Sequence, residues 1–156
     1  LKGLNMLTVV ATGTRDGKLG KRREDLIYDI SKVCVEELGL DRFKALIHIK
    51  QTRTKQLMDG FALGYAQMDK IDTDEWGKVW WGIIELTNQH PKGIAKTLCH
   101  EWVHIKQYLR KELSFDGKTW MGNKVETEDY YKQPCEIEAY NLQESLYYKC
   151  VDLKII

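Results

Sequence analysis

The chain has 156 residues, of which 43% are hydrophobic and 30% are charged, and its formal net charge is +1. These values suit one globular domain over residues 1–156, built on a single hydrophobic core. The lack of a basic excess argues against a nucleic-acid partner. No apolar run approaches the roughly 20 residues that cross a bilayer, which argues against a membrane partner.

The first part of the chain is predicted to form a strand followed by a helix. Residues 6–12 are apolar and suit a short strand, which Gly and Asp residues within 14–20 then interrupt. Apolar residues recur at helical spacing over residues 23–38. Gly39 is well placed to end this helix.

The middle of the chain is predicted to contribute three further strands. Apolar residues indicate these strands at 45–51, 61–68 and 79–87, of which the last is the most apolar. Residues 69–77 are acidic and predict a turn between the second and third of them.

The last part of the chain is predicted to contain two long helices. They cover residues 92–112 and 134–150, and Pro134 lies in the first turn of the second, where proline is tolerated. Between them, Asp116-Gly117 predicts a short hairpin within residues 115–125. The element order predicts an α+β fold: a small antiparallel or mixed sheet, an N-terminal helix and two C-terminal helices.

The four cysteines, at positions 34, 99, 135 and 150, include no C-x-x-C pair. This spacing excludes a zinc ribbon and a thioredoxin-like motif. No secretion signal is visible. Free thiols and a cytoplasmic location are therefore expected.

The predicted helix over 92–112 carries the sequence HEWVH, from His100 to His104. Residues four apart lie on one face of a helix, so the two imidazoles can bind the same metal ion. Zinc accepts such nitrogen ligands, and Glu101 is placed to take a proton from the attacking water. The motif therefore predicts a Zn²⁺ site with His100 and His104 as ligands and Glu101 as the general base.

A catalytic zinc site needs a third protein ligand. His48 and His90 could serve, but neither belongs to a motif. The predicted helix over 134–150 offers two carboxylates, and its periodicity places Glu136 on the inward face and Glu138 on the solvated one. Because a buried carboxylate is costly unless it is paired or bound to metal, Glu136 is the predicted third ligand.

HEWVH followed some thirty residues later by a helical glutamate resembles the gluzincin metallopeptidases, which include the thermolysin-like enzymes and the single-domain minigluzincins. In several gluzincin families the ligand Glu lies three residues before an Ala, as Glu136 lies before Ala139. The string HEWVHIKQY with a later P-x-E-x-E-A is also similar to small phage-encoded proteins of metallopeptidase type. The resemblance covers about residues 80–148 and implies a zincin-like domain that hydrolyses peptide bonds.

The resemblance also implies a peptide or protein substrate, paired with the strand before the metal-binding helix, here residues 79–87. Many gluzincins orient a ligand His with an acidic residue where this chain has Tyr140, so that partner must come from elsewhere. The oxyanion needs a further donor. Tyr130, Tyr131, Tyr140 and His90 are candidates, and Tyr140 is taken as the working one.

Two alternatives stay open. Small proteins with this motif include proteases of narrow regulatory role that cleave repressors or act in DNA repair, and the near-neutral charge argues against the second kind. The other alternative is a zinc-binding scaffold or virion component without catalysis. Glu101 argues against it, because a structural zinc normally has four protein ligands and needs no general base.

Overall fold

A computed structural model describes residues 2–4, 6–13, 20–52, 63–74 and 77–156, with the backbone alone at 2–4 and 70–74. The strands are β1 (Lys2–Leu4), β2 (Leu7–Thr12), β3 (Ala45–Gln51), β4 (Gly64–Asp74), β5 (Gly77–Leu86), β6 (Thr119–Trp120) and β7 (Asn123–Lys124). The helices are α1 (Lys21–Glu37), α2 (Pro91–Leu109) and α3 (Pro134–Asp152), with a 3₁₀ turn at Tyr130–Lys132.

The main sheet has five strands in the order β1-β2-β3-β5-β4. The central strands β2, β3 and β5 are parallel, and β1 and β4 pair antiparallel at the two edges. The α+β prediction is confirmed, and the sheet is mixed. The parallel pair β2/β3 follows from α1, which carries the chain back between them.

One face of this sheet is covered by helices. On β3, Ala45, Ile47 and Ile49 alternate with less buried residues and form the centre of the core. Helices α1 and α2 pack on this face, and α3 packs against both helices. On the opposite face, Trp81 and Ile83 are 46% and 40% exposed, so no described helix covers them.

The strand predicted to pair with substrate, over residues 79–87, is not at an edge. It corresponds to β5, which is hydrogen-bonded to β3 on one side and to β4 on the other. The sheet edge on this side belongs to β4, which continues through residues predicted as a turn, as far as Asp74. Of the predicted strand 61–68, residues 61 and 62 lie outside the described residues, as do 14–19 of the predicted break.

Helix α2 is the element that positions the site. Its apolar stripe is buried, as its periodicity predicted: Ile94, Leu98, Trp102, Ile105 and Leu109 are at most 8% exposed. The Trp102 indole donates to Ser31 Oγ at 3.0 Å and so fixes α2 against α1. Among the described residues, no helix is both long and apolar enough to cross a membrane.

Candidate metal centre

His100, His104 and Glu136 converge between α2 and α3. The Glu136 carboxylate spans both rings, with Oε2 3.1 Å from His100 Nε2 and Oε1 2.7 Å from His104 Nε2. The three residues are 4–8% exposed, and their ligand atoms lie within 4.8 Å of one another. The sequence predicted this convergence from the two helix faces, and the structure brings these side chains together.

Gln107 orients His104. An amide oxygen can only accept, so His104 Nδ1–H donates to Gln107 Oε1, at 2.8 Å. The Gln107 amide is fixed in turn, because its Nε2 donates to Cys135 O at 2.9 Å and to Glu138 Oε1 at 3.1 Å. This arrangement leaves His104 Nε2 as the nitrogen that faces the cluster.

Gln143 does the same for His100, from the other helix. His100 Nδ1–H donates to Gln143 Oε1 at 2.9 Å, which directs Nε2 towards Glu136. The Tyr140 ring packs against His100, with ring centroids 4.5 Å apart. Tyr140 is four residues after Glu136, the position at which many gluzincins have an acidic residue. It therefore contacts the His100 ring, although the hydrogen bond to that ring comes from Gln143.

Sequence reasoning missed both glutamines. The signal was present, since Gln107 follows His104 by three residues and Gln143 follows Glu136 by seven, which are same-face spacings on a helix. The helical periodicity also predicted that Glu138 faces solvent, and this prediction is only partly right. The Glu138 side chain is 29% exposed and binds Lys106 Nζ at 2.8 Å as well as Gln107.

Within the cluster, the pKa values of Glu136 and His104 are shifted in opposite directions. Burial alone would raise the pKa of Glu136, but hydrogen bonds from His100 and His104 lower it to about 2. Burial alone would lower the pKa of His104, but its hydrogen bond to Glu136 and the nearby Glu101 raise it to about 9. A hydrogen bond from the Tyr130 hydroxyl also stabilises the Glu136 carboxylate. Without a metal, a His104 imidazolium and a Glu136 carboxylate therefore form an ion pair at neutral pH.

Glu101 lies beside the cluster and differs from the three cluster residues in its hydrogen bonding. Its side chain is only 6% exposed, yet it has no hydrogen bond or ion pair with any residue that the structure describes. Burial raises its pKa to about 6, an effect that His104 and His100 partly offset. Glu101 is thus a buried residue whose carboxylate reaches the cleft and keeps free acceptor capacity.

A cleft of about 560 Å³ gives access to Glu101 and His100. One wall of the cleft is formed by the start of β4, by Gln89 and by the first turns of α2. The other wall is formed by three tyrosines and Gln143. The lining residues are Leu63, Gly64, Gln89, Gly93, Lys96, Thr97, His100, Glu101, Tyr130, Tyr131, Tyr140 and Gln143. Three of the four candidate oxyanion donors therefore border one cavity.

The remaining histidines lie elsewhere. His90 caps the N-terminus of α2, where its ring accepts from Lys92 N, and it lines a different cavity of about 890 Å³. Ten residues of helix, about 15 Å, separate it from His100, which removes it as a ligand or oxyanion donor. His48 Nε2 lies 2.7 Å from Thr12 Oγ1 on the sheet, away from α2, so it is not a ligand either.

The donor set fits a metal ion. Two imidazole nitrogens and a carboxylate are good ligands for divalent transition metals. The ligand atoms of a tetrahedral zinc lie about 3.4 Å apart, and the three ligand atoms here all lie within 4.8 Å of one another, close enough to approach a common ion. The cluster of His100, His104 and Glu136 could therefore hold a metal ion. The four cysteines are free and buried, and none belongs to this group.

No protein-family model matches the chain, and no curated protein or solved structure matches it either. The gluzincin resemblance thus depends on the motif residues alone and stays a prediction.

Proposed function

We propose that this chain is a zinc-dependent endopeptidase in which Glu101 is the general base. The observation that carries the proposal is the environment of Glu101, a largely desolvated carboxylate that lines the cleft beside the cluster and has no hydrogen bond or ion pair among the described residues. Desolvating an unpaired carboxylate costs stability. A carboxylate kept in that state within a cleft is typical of a functional site. A structural metal site gains nothing from it.

Zinc is the ion that this donor set favours. Catalytic zinc sites use three protein ligands of the imidazole and carboxylate kind and leave one position open. Calcium and magnesium prefer oxygen ligands, so two imidazoles argue against them. When bound by these three side chains, zinc would act as a Lewis acid that acidifies a water molecule and polarises a carbonyl group.

Glu101 would move the protons of the reaction. With its pKa raised to about 6, the carboxylate is ionised at neutral pH and is a stronger base than an exposed glutamate. It would accept a proton from the water that attacks the peptide carbonyl and donate it to the leaving amine. The free acceptor capacity of its oxygens is what this transfer requires.

The edge strand β4 would hold an extended substrate. Thr87 N donates to Leu63 O, so the main chain of Leu63 faces β5. In an antiparallel pair the pattern alternates, and the N–H and C=O groups of Gly64, Ala66 and Met68 therefore point to the free edge. A peptide that adds to this edge next to Gly64 lies beside Glu101. The edge position of β4 next to Glu101 is what supports a peptide or protein as the substrate.

Tyr140 remains our candidate for stabilising the oxyanion. The Tyr130 hydroxyl already donates to Glu136, and the Tyr131 side chain is 70% exposed. Tyr140 lines the cleft and packs on the ring of His100, next to where the substrate carbonyl would lie. A phenol in that position can donate to developing negative charge.

The test is cleavage of a diverse peptide library by purified protein, stripped of metal and then reloaded with zinc. We expect internal peptide-bond cleavage that a chelator abolishes and one equivalent of zinc restores. Stoichiometric zinc binding without cleavage of any peptide would refute the proposal and favour a non-catalytic zinc domain.

A further inference from the structure

Gly64 occupies a position in β4 where glycine is not required by the backbone. Glycine inside a strand weakens the strand, because it has no side chain to pack and loses more conformational freedom. Among the described glycines, positive φ angles occur at Gly39, Gly77, Gly117 and Gly122, and not at Gly64. An L-residue could therefore adopt the backbone of Gly64, and the reason for glycine must be space.

The space belongs to two side chains of α2. A Cβ atom at Gly64 would lie 2.4 Å from Thr97 Cγ2 and 3.1 Å from both Cγ and Oε1 of Glu101. The first distance is a clash, and the second is tighter than ordinary van der Waals contact. The main chain of Gly64 thus lies directly against the carboxylate that we propose as the general base.

Neither side of this contact can move away easily. Leu63 O, just before Gly64, accepts from Thr87 N at 3.0 Å, from Thr87 Oγ1 at 3.1 Å and from Gln89 Nε2 at 3.2 Å. Thr97 Oγ1 donates to Gln89 Oε1 at 3.1 Å, which ties α2 to the same point. The beginning of β4 is therefore held at a fixed distance from α2.

We propose that Gly64 is a positioning residue whose missing side chain allows Glu101 to keep its carboxylate beside the metal ligands. The inference rests on the proposed function, because it concerns the group that would act as general base. Any larger residue at position 64 would displace the carboxylate by a few tenths of an ångström or more while leaving His100, His104 and Glu136 in place.

The experiment compares zinc-loaded Gly64→Ala, Thr97→Ser and the double variant with wild type. Thr97→Ser removes the methyl group that a new Cβ would strike and keeps the hydroxyl that binds Gln89. The double variant therefore folds without the severe clash but retains the contact with Glu101. Relative to Thr97→Ser alone, we expect its kcat to fall roughly tenfold to hundredfold, with KM nearly unchanged and zinc stoichiometry intact.

Gly82→Ala is the matched control. A Cβ there would lie 2.8 Å from Ile47 Cδ1 and 3.3 Å from Ile105 Cδ1, so the variant strains the core without touching Glu101. We expect a lower melting temperature but an unchanged kcat per zinc-loaded molecule. This separates a displaced carboxylate from general loss of stability.

A crystal structure of the zinc-loaded double variant gives the second measurement. A displaced Glu101 carboxylate together with the lower kcat supports the inference. An unmoved carboxylate, or a kcat equal to that of Thr97→Ser, overturns it and leaves the proposed function standing. If the wild-type protein cleaves no peptide, the proposed function fails. The role of Gly64 in catalysis is then overturned as well, even if the Glu101 carboxylate is displaced in the double variant.

Discussion

The candidate metal cluster of His100, His104 and Glu136 and the cleft share helix α2, yet they are built differently. In the cluster, each ligand is less than a tenth exposed and each histidine has a glutamine that fixes its ring. In the cleft, the walls carry exposed aromatic rings, such as Tyr131, and the carboxylate of Glu101 has no described hydrogen bond. One region is saturated with hydrogen bonds, and the other keeps its polar group free.

Under the proposed function, this difference separates metal binding from turnover. Saturated hydrogen bonds hold ligands in the orientation that a metal needs, so changes in the cluster should alter metal affinity. A free, desolvated carboxylate contributes nothing to holding the ligands but can take part in proton transfer. Changes at Glu101 should therefore alter turnover at constant metal affinity.

The largest effect is expected from Glu136→Ala, which removes one of three ligands from the cluster. Zinc affinity should fall by more than the roughly 10–100-fold typical of losing a residue that only orients a ligand, and activity should disappear. Competition titration against a chelator measures this affinity. Glu138→Ala is the control, since Glu138 contacts Gln107 and Lys106 but no ligand atom of the cluster. Equal losses in the two variants would contradict Glu136 as a ligand.

The second effect should be confined to the cleft. Glu101→Gln keeps the shape of the side chain but removes its basicity, so turnover should fall about 10²–10⁴-fold while zinc still binds. Steady-state kinetics and metal analysis on the same preparation measure both quantities. Glu144→Gln, an exposed change on α3, should leave both as in wild type. Substantial turnover by Glu101→Gln would remove Glu101 as the general base.

The helices could be predicted from the sequence because their signals are local. Apolar spacing and Gly39 placed α1 within two residues of its observed bounds, and the same periodicity identified the buried face of α2. Strand neighbours are chosen by contacts far apart in the chain, so the sequence could not show that β5 lies inside the sheet and β4 at its edge. The predicted substrate strand was wrong for that reason.

The convergence of His100, His104 and Glu136 could be predicted for the same local reason, but the residues that orient the two histidines could not. Helical periodicity alone distinguishes Glu136 from Glu138. The partners of the histidines depend on how α2 and α3 pack, since Gln143 reaches His100 from another helix. Only the structure shows that the Glu101 carboxylate is unpaired among the described residues and lies against Gly64.

The two glutamines allow a finer comparison within the cluster. Gln107 is fully buried and fixed by two acceptors, whereas Gln143 lines the open cleft, where water can replace its amide. We expect Gln107→Ala to weaken zinc binding roughly 10–100-fold and Gln143→Ala to weaken it less. Chelator competition on both variants gives the order. The reverse order would show that the cleft side holds its histidine more firmly than the buried side.

Zinc affinity should also depend on pH, and the sign of that dependence follows from His104. Because the pKa of His104 is raised to about 9 in the metal-free cluster, this ring carries a proton at neutral pH that zinc must displace. Glu136, with its pKa lowered to about 2, carries no proton there. Zinc affinity should therefore rise about tenfold per pH unit between about pH 6 and 8, with release of one proton. Calorimetry in buffers of different ionisation enthalpy counts that proton. An affinity independent of pH over this range would mean that His104 is already neutral and that no His104–Glu136 ion pair forms before the metal binds.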